Sequence, residues 1–280
     1  MKHETGAFDG RKQQGLFYQC WLPGGGARAV LVVVHGLAEH SGRYLNLVDY
    51  FVPRGLAVYA FDQQGHGRSP GRRAHIASFG DFVDDLEIFC GRVRRLQPGL
   101  PCLLVGHSMG GTIALAYAVS GRCRCEGLIL SAPGLKSNAN VPPLLMALSS
   151  LLSRCTPTLR AVQLEAAAIS RDPQVVAAYE NDPLVFHGKI TARLGRELLD
   201  IMTILEQDCA KLALPLLILH GTADRLTDPA GSQNLLARAA AADKTLKLYP
   251  GFYHELFNEP GKETVFADMA EWLEQRIPAA

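Results

Sequence analysis

The sequence predicts an α/β fold, in which helices flank a mostly parallel central sheet and a helical segment interrupts the alternation. Three observations support this fold class. Short apolar runs alternate with helix-forming segments over residues 30–120. The alternation stops between about 135 and 212, where no strong strand pattern occurs, and it resumes from 213 onwards. At 280 residues, the chain is long enough for one large core with a sizeable insertion.

The strands predicted before residue 135 are short, and most are apolar and rich in β-branched residues, which is typical of strands buried in a parallel sheet. They cover residues 16–21, 30–34, 57–61, 102–105 and 127–130. Helical spacing occurs between them at 44–51 and at 79–96, where apolar residues recur at steps of three and four. Pro98 and Gly99 end the second of these helices.

The middle of the chain carries helical segments separated by prolines, at 144–152, 162–169 and 194–205. An insertion between two strands of a parallel sheet lies over the edge at which such sheets bind ligands. The predicted organisation is therefore a core built from residues 1–134 and 213–280, with residues 135–212 inserted as a cap.

The first helical segment of this cap is unusually apolar. Residues 141–148, together with Leu151 and Leu152, are apolar around more than one face of a helix. Two interpretations stay open. The helix packs on the domain beneath it, or it forms a partly exposed surface that contacts membranes or micelles transiently and takes up lipid.

The last part of the chain returns to alternating strands and helices. Strands are predicted at 216–219 and 245–249, and helices at 232–241 and 264–275. Each strand is followed by a polar loop, so the carboxyl edge of the predicted sheet collects polar side chains.

Composition excludes several classes of function. The residues are 48% hydrophobic and 20% charged, and the formal net charge of +1 gives no bulk field that would attract nucleic acid. No apolar run of about 18 residues could span a bilayer. The polar first residues are not followed by the apolar segment of a secretion signal. We therefore expect a soluble, cytoplasmic protein that does not bind nucleic acid.

The cysteines indicate a reducing compartment. There are seven, without the regular spacing of a disulfide framework. Cys123 and Cys125 could suggest a metal site, but no second pair of cysteines or histidines has ligand spacing. Neither a metal nor an organic cofactor is expected.

A candidate nucleophile follows the strand at 102–105, which leads directly into Gly106-His107-Ser108-Met109-Gly110 and then a helix-forming segment. A strand, G-x-S-x-G and a helix in this order are typical of a nucleophile elbow. The glycines leave room for a sharp turn, and the free N–H groups at the start of the helix stabilise negative charge beside the serine oxygen. Ser108 is therefore the candidate nucleophile.

A serine hydroxyl needs a histidine base held by a carboxylate, because it is a weak nucleophile at neutral pH. Asp224 and His254 each follow a predicted strand, so a parallel sheet would bring both to the same edge as Ser108. The order serine, aspartate, histidine is that of α/β-hydrolases. Asp228 is the chief alternative for the acid. The other loop histidines are interpreted as structural hydrogen-bonding groups, namely His35, His66, His107 and His220.

Acyl transfer also requires two donors for the oxyanion. The backbone N–H of Met109, directly after the nucleophile, is one candidate. The other is the N–H of Leu37, in the loop after the strand at 30–34, where Gly36 lets the backbone approach the substrate. Since losing one such donor costs about 10²–10³ in rate, this loop is expected to matter nearly as much as the acid and base.

Five stretches resemble the monoacylglycerol lipase family of α/β-hydrolases, over most of residues 10–277: HGLAEHSGRY, FDQQGHGRSPGRR, GHSMGG, NDPLVFHGKITARLGRELL and HGTADRLTDPAGS. The resemblance implies an α/β-hydrolase fold with the helical cap inserted after the sixth strand. It also implies that Ser108 is the nucleophile, with Asp224 as acid and His254 as base. Leu37 and Met109 would form the oxyanion hole.

Two features depart from that family. Gln63 stands where the family commonly has an aromatic residue or histidine, and residues 136–180 match its pattern poorly. The first concerns loop packing, and the second leaves the lining of the acyl pocket open.

The expected function is a serine hydrolase that cleaves the ester bond of monoacylglycerols to glycerol and free fatty acid through an acyl-enzyme. Its partner would be a lipid ester substrate. Within the same chemistry, the alternatives are a lysophospholipase and a general carboxylesterase for short acyl chains. From another class, the alternative is a non-catalytic binding protein on the same fold. Carbon–carbon hydrolases and cofactor-free haloperoxidases share this triad, and only the resemblance disfavours them.

Overall fold

The structure is a computed structural model that describes residues 1–138, 143–163 and 165–277, with the side chains of the helix at 143–155 described from Leu148 onwards. Its strands are β1 (Lys2–Asp9), β2 (Gly15–Leu22), β3 (Ala29–Val34), β4 (Leu56–Phe61), β5 (Cys102–His107), β6 (Gly127–Ser131), β7 (Arg160–Val162), β8 (Ile190–Thr191), β9 (Leu216–Gly221) and β10 (Lys244–Tyr249). Its helices are α1 (Leu45–Phe51), α2 (Phe79–Leu96), α3 (Met109–Val119), α4 (Pro143–Cys155), α5 (Pro173–Glu180), α6 (Ala192–Asp208), α7 (Pro229–Arg238) and α8 (Lys262–Glu274).

The central sheet has eight strands in the order β1-β2-β4-β3-β5-β6-β9-β10. The strands from β4 to β10 in this order are parallel, whereas β2 runs antiparallel to both β1 and β4. In register, His107 at the end of β5 pairs with Ser131 at the end of β6, and Tyr249 at the end of β10 pairs with Gly221 at the end of β9. The loops that follow these strands therefore leave the sheet at one edge.

Apolar side chains cover both faces of the sheet. Along β3, Val32 packs into one apolar layer and Leu31 into the other, because successive side chains of a strand point to opposite faces. The first layer contains side chains of α2, α3 and α6, and the second contains side chains of α1 and α8. Burying one such Val or Leu stabilises the fold by ~1.5–3 kcal/mol. The predicted α/β class, with a mostly parallel sheet flanked by helices, is confirmed.

Helix α2 illustrates how local sequence defines an element. Ser78 caps its first turn by accepting a hydrogen bond from the N–H of Gly80 at 3.3 Å. Phe82, Leu86 and Phe89 are buried on one face, at the steps of three and four that the sequence shows. The observed bounds equal the predicted 79–96.

The insertion follows the sixth strand, as the resemblance implied, and contains α4 and α6 close to the predicted bounds. The predicted helix at 162–169 is wrong. Residues 160–162 pair with 190–191 as a two-stranded antiparallel sheet, and a 3-10 turn, Ala166–Ala168, lies within 165–169. The guanidinium of Arg160 donates to the carbonyls of Arg73 and Lys189, so tertiary contacts override the local apolar spacing here. The predicted apolar run at 141–148 lies largely outside the described residues.

Strand β1 was not among the predicted strands. It is an edge strand that pairs only with β2, and most of its side chains are exposed. An edge strand exposed on both faces lacks the apolar alternation on which strand prediction depends. Of the helices described, none has both the length and the apolar character needed to cross a membrane.

Candidate active site

Ser108 lies in a strained turn between β5 and α3. Its backbone angles are φ 54° and ψ −122°, a conformation that non-glycine residues rarely adopt. A Cβ at position 106 would lie 2.6 Å from the carbonyl oxygen of Gly110, and one at position 110 would lie 2.0 Å from that of Val34. Glycine is therefore required on both sides. The turn holds the Ser108 side chain, which is partly exposed, at the start of α3.

Asp224 and His254 meet at the same edge of the sheet. The Nδ1 atom of His254 lies 2.7 Å from Oδ2 of Asp224, and both side chains are buried. The backbone N–H groups of Leu226 and Thr227 donate to Oδ1 of Asp224 at 2.8 and 3.0 Å. The Asp224 carboxylate accepts the hydrogen bond from Nδ1–H of His254. The Nε2 atom of His254 is therefore left free to act as a base.

Sequence reasoning missed two residues around this carboxylate. The hydroxyl of Thr227 donates to Oδ2 of Asp224 at 2.8 Å, and Nε2 of His220 lies 3.2 Å from the same oxygen. His220 is also 2.7 Å from the hydroxyl of Ser232. The one sequence signal is proximity along the chain, because His220 lies near the end of β9 and Thr227 lies in the loop that follows it. The carboxylate is consequently held by several donors and not by His254 alone.

The pKa values of this pair are shifted in opposite directions. Burial opposes charge on Asp224, but the charge of His254 and the hydrogen bonds from His220 and His254 hold the pKa of the Asp224 carboxyl well below its usual range. Burial lowers the pKa of His254, but the charge of Asp224 and its hydrogen bond outweigh burial and raise that pKa above its ordinary value. Asp224 thus stays ionised and stabilises the imidazolium form of His254.

Ser108 and His254 line one cavity of about 190 Å³. Among the described contacts, the Ser108 hydroxyl makes no hydrogen bond to His254, and such bonds are often long in substrate-free sites. The cavity wall is largely apolar, and much of its apolar part is supplied by the insertion, through Leu152, Val162, Ile190, Leu198, Leu199 and Met202. A chain of methylene groups is therefore the ligand that this wall fits.

Leu37 and Met109 line the same cavity beside Ser108. Within the described part of the chain, neither backbone N–H has a hydrogen-bond acceptor. A Cβ at position 36 would lie 3.1 Å from the Cβ of Ser108, so glycine there lets the loop after β3 approach the elbow. Both N–H groups are thus available to an oxyanion.

The loop position predicted for His107 and His220 is wrong, because they lie in β5 and β9. Three of the other histidines, His35, His66 and His107, have structural hydrogen bonds. Nδ1 of His35 donates to the carbonyl of Gly36 at 2.8 Å, and its Nε2 accepts from the N–H of Gln63 at 3.0 Å. Burial lowers the pKa of His35 and of His66 to about 3. Burial, followed by the charge of His254, likewise lowers the pKa of His107 well below its ordinary value. These side chains are neutral at physiological pH, and Gln63 supports the loop that carries Gly36.

Asp228, the alternative acid, has a different role. Its carboxylate caps α7 by accepting from the N–H of Ala230 at 2.9 Å, and it pairs with Lys136 at 2.7 Å. It makes no contact with His254 among the described residues. The structure therefore places Asp224, and not Asp228, in contact with His254.

No metal site accompanies this arrangement within the described ranges, where no group of three or more His, Cys, Asp or Glu side chains could hold a metal ion. Cys123 and Cys125 are free thiols.

Comparisons with known proteins identify the family of this chain. A family model described as serine aminopeptidase, S33, matches residues 25–261. The monoacylglycerol lipase of Mycolicibacterium smegmatis is 42% identical over 258 residues, which cover 92% of each protein. The crystal structure of Paleococcus ferrophilus monoacylglycerol lipase is similar with a TM-score of 0.84 and 35% identity, over 93% of this chain and 99% of that chain.

A soluble variant of monoglyceride lipase from Saccharomyces cerevisiae, solved with a substrate analog, is similar with a TM-score of 0.86 and 28% identity, over 99% of this chain and 96% of that chain. Each of these matches thus extends over nearly the whole length of both proteins compared. The chain belongs to the monoacylglycerol lipase family of α/β-hydrolases, which are carboxylic ester hydrolases.

Proposed function

We propose that this chain hydrolyses the ester bond of monoacylglycerols to glycerol and free fatty acid through an acyl-enzyme on Ser108. The observation that carries this proposal is the Asp224–His254 pair, whose histidine lines the same largely apolar cavity as Ser108. The names of the relatives support the same substrate class. A fatty acyl chain would occupy the apolar part, with its ester carbonyl at Ser108.

In this mechanism, Nε2 of His254 removes the proton of Ser108 as Oγ attacks the ester carbonyl. The N–H groups of Leu37 and Met109 donate to the oxyanion that forms. His254 then gives its proton to the glycerol oxygen as the ester C–O bond breaks. Water repeats the cycle on the acyl-enzyme and releases the fatty acid, while Asp224 keeps the imidazole oriented.

We also propose a role for the insertion, as a cap over the cavity. We assign residues 135–212 as a cap over a core of residues 1–134 and 213–280, because α4, α6 and the β7–β8 pair supply most of the apolar wall. On the outside of the same helices, Leu148, Leu151 and Ile204 are 40%, 58% and 51% exposed. Exposed leucines beside the acyl cavity would let the cap contact a membrane or micelle transiently, so we propose a cytoplasmic protein with peripheral membrane association.

A substrate panel tests the proposed function. Long-chain monoacylglycerols should exceed butyryl esters at least about tenfold in kcat/KM, because an apolar pocket favours each added methylene group. The panel also contains lysophosphatidylcholine and an aminoacyl anilide. The release of fatty acid or amine is measured for each substrate. Leu199→Trp, which narrows the cavity, should lower the long-chain rate and spare butyrate. Maximal activity on butyrate, with long-chain monoacylglycerols inert, would instead indicate a short-chain carboxylesterase.

A second experiment tests the membrane surface. The double variant Leu148→Ser and Leu151→Ser should bind phosphatidylcholine vesicles at least about tenfold more weakly, since each leucine contributes up to ~1.5–3 kcal/mol when buried in lipid. Hydrolysis of a soluble butyrate ester should not change. Leu96→Ser is the matched control, because Leu96 is 48% exposed at the end of α2, outside the insertion. Equal vesicle binding by the double variant and the wild type would contradict this surface.

A further inference from the structure

A buried carboxylate holds the loop after β3. The side chain of Glu39 is 6% exposed. Its Oε1 atom accepts the backbone N–H of Gly36 at 2.5 Å and the hydroxyl of Tyr44 at 2.7 Å. Burial, followed by the charge of Glu255, raises the pKa of the Glu39 carboxyl above its ordinary value, while the charge of Arg43 opposes this shift. The N–H that Glu39 fixes belongs to the residue directly before Leu37, whose own N–H we assign to the oxyanion.

The backbone of this loop brings Glu39 back to Gly36. Ala38 adopts φ 68°, a left-handed conformation that reverses the chain between the two residues. A Cβ at position 36 would lie 2.8 Å from Oε1 of Glu39 and 3.1 Å from Cβ of Ser108. The Gly36 backbone is therefore confined between the carboxylate on one side and the elbow on the other.

The same carboxylate is linked to the loop that carries the base. Nε of Arg43 lies 3.4 Å from Oε2 of Glu39, and its NH2 group donates to both oxygens of Glu255 at 2.9 and 2.7 Å. Glu255 directly follows His254, and its backbone N–H donates to the carbonyl of Ile169 at 2.8 Å. Buried charges persist only when they are paired, so these three side chains hold the oxyanion loop and the histidine loop in one arrangement.

We propose that Glu39 is a positioning residue for the ester hydrolysis. Its carboxylate fixes the His35–Gly36 peptide through the Gly36 N–H, and thereby orients the following Gly36–Leu37 peptide so that the Leu37 N–H meets the oxyanion at the moment that Ser108 attacks. This role rests on the proposed function. Glu39 lines the same cavity as Ser108, but the role assigned to it acts through the backbone of the loop and not on the reacting atoms. The positioning role requires a hydrogen-bond acceptor at the end of a side chain as long as that of glutamate. It does not require the negative charge as such.

Three substitutions of Glu39 distinguish the effect of side-chain length from the effect of negative charge. Glu39→Ala removes the acceptor and should lower kcat about 10- to 100-fold with KM within about threefold, because a small displacement of a catalytic donor has effects of this size. Glu39→Gln keeps an acceptor at the same distance and should retain at least about a fifth of the wild-type kcat. Glu39→Asp keeps the charge but is one methylene shorter, so it should lose more than Glu39→Gln. The rate of inactivation by a fluorophosphonate should follow the same order.

Asp85→Ala is the matched control. Asp85 is a buried carboxylate of α2 that accepts the backbone N–H of Arg11 at 2.7 Å, and it does not line the cavity. This variant should lose thermal stability while its kcat stays within about twofold of wild type. It thereby measures what the loss of a buried carboxylate does to activity through stability alone.

The outcomes are decisive in both directions. The positioning role is overturned if folded Glu39→Ala keeps a kcat within threefold, if Glu39→Asp outperforms Glu39→Gln, or if only KM changes. Should Glu39→Ala fail to fold, the order of the Asp and Gln variants still decides. A wild type that reacts with the fluorophosphonate but leaves monoacylglycerols intact would contradict the proposed substrate and leave the Glu39 comparison valid, because inactivation uses the same oxyanion donors.

Discussion

We expect Ser108→Ala to lower kcat on monoacylglycerols by about 10⁵- to 10⁶-fold, the size of effect measured when a serine hydrolase loses its nucleophile. The variant should also be inert to a fluorophosphonate, because no other side chain at the elbow can form the covalent bond. Alanine keeps a Cβ at φ 54°, so the strain of the turn is unchanged and the fold should persist. Steady-state rates and mass spectrometry of the labelled protein measure both effects.

The matched control for this experiment is Ser120→Ala. Ser120 caps the other end of α3, where its hydroxyl donates to the carbonyl of Tyr117 at 2.7 Å. Its kcat and its labelling should equal those of the wild type. Labelling of Ser108→Ala at the wild-type rate would place the nucleophile elsewhere. A wild type that neither labels nor hydrolyses esters would favour a non-catalytic binding protein.

The elbow and the Asp224–His254 contact can be predicted from sequence for a physical reason. Only glycine fits at 106 and 110, where any Cβ would meet a backbone atom, so the G-x-S-x-G pattern reports a steric requirement. Asp224 and His254 follow strands that lie side by side and parallel, so strand prediction alone brings their loops to one edge. In both cases, short-range patterns determine the geometry.

The surroundings of the site could not be predicted in this way. Glu39, Arg43 and Glu255 are typical surface residues by composition, and only the three-dimensional packing shows that they are buried and paired. Likewise, the sequence predicts His220 in a loop, whereas the structure places it in β9, where its side chain contacts Asp224. Side chains that meet across different loops leave no periodic signal.

The lining of the cavity could not be predicted from the sequence either. Most of its apolar residues come from α4, α6 and the β7–β8 pair, and the sequence predicts a helix over 162–169 where the structure has part of β7. A strand of three residues is too short for an alternating pattern to be recognised. Its pairing partner, 190–191, lies about 30 residues further along the chain. Acyl specificity is therefore a property of the insertion that only its packing defines.

The second large effect should come from Asp224→Asn, which we expect to lower kcat about 10⁴-fold. Asparagine has nearly the same shape and can still accept from the N–H groups of Leu226 and Thr227, so the loop should keep its conformation. Its amide, however, carries no charge to stabilise the imidazolium, and an amide N–H facing Nδ1 of His254 would favour the wrong tautomer. Steady-state kcat, with circular dichroism as the check on folding, measures the loss.

The pH dependence should move as well, and its sign follows from the shifted pKa. In the wild type, Asp224 raises the pKa of His254 above its ordinary value of about 6.5, and only the neutral form acts as a base. The kcat/KM of the wild type should therefore rise with pH through a midpoint above about 6.5. Removing the charge at 224 lowers the pKa of His254, so the residual activity of Asp224→Asn should rise through a midpoint at lower pH.

Asp228→Asn completes this comparison, because Asp228 is the nearby carboxylate that caps α7 and pairs with Lys136. Asparagine is also a good N-cap, so this variant should keep its kcat within about twofold and its acid midpoint unchanged. The two asparagine variants differ only in which carboxylate loses its charge. A large loss in Asp228→Asn, or an unshifted midpoint in Asp224→Asn, would mean that the charge facing His254 during catalysis is not the one that contacts it in this structure.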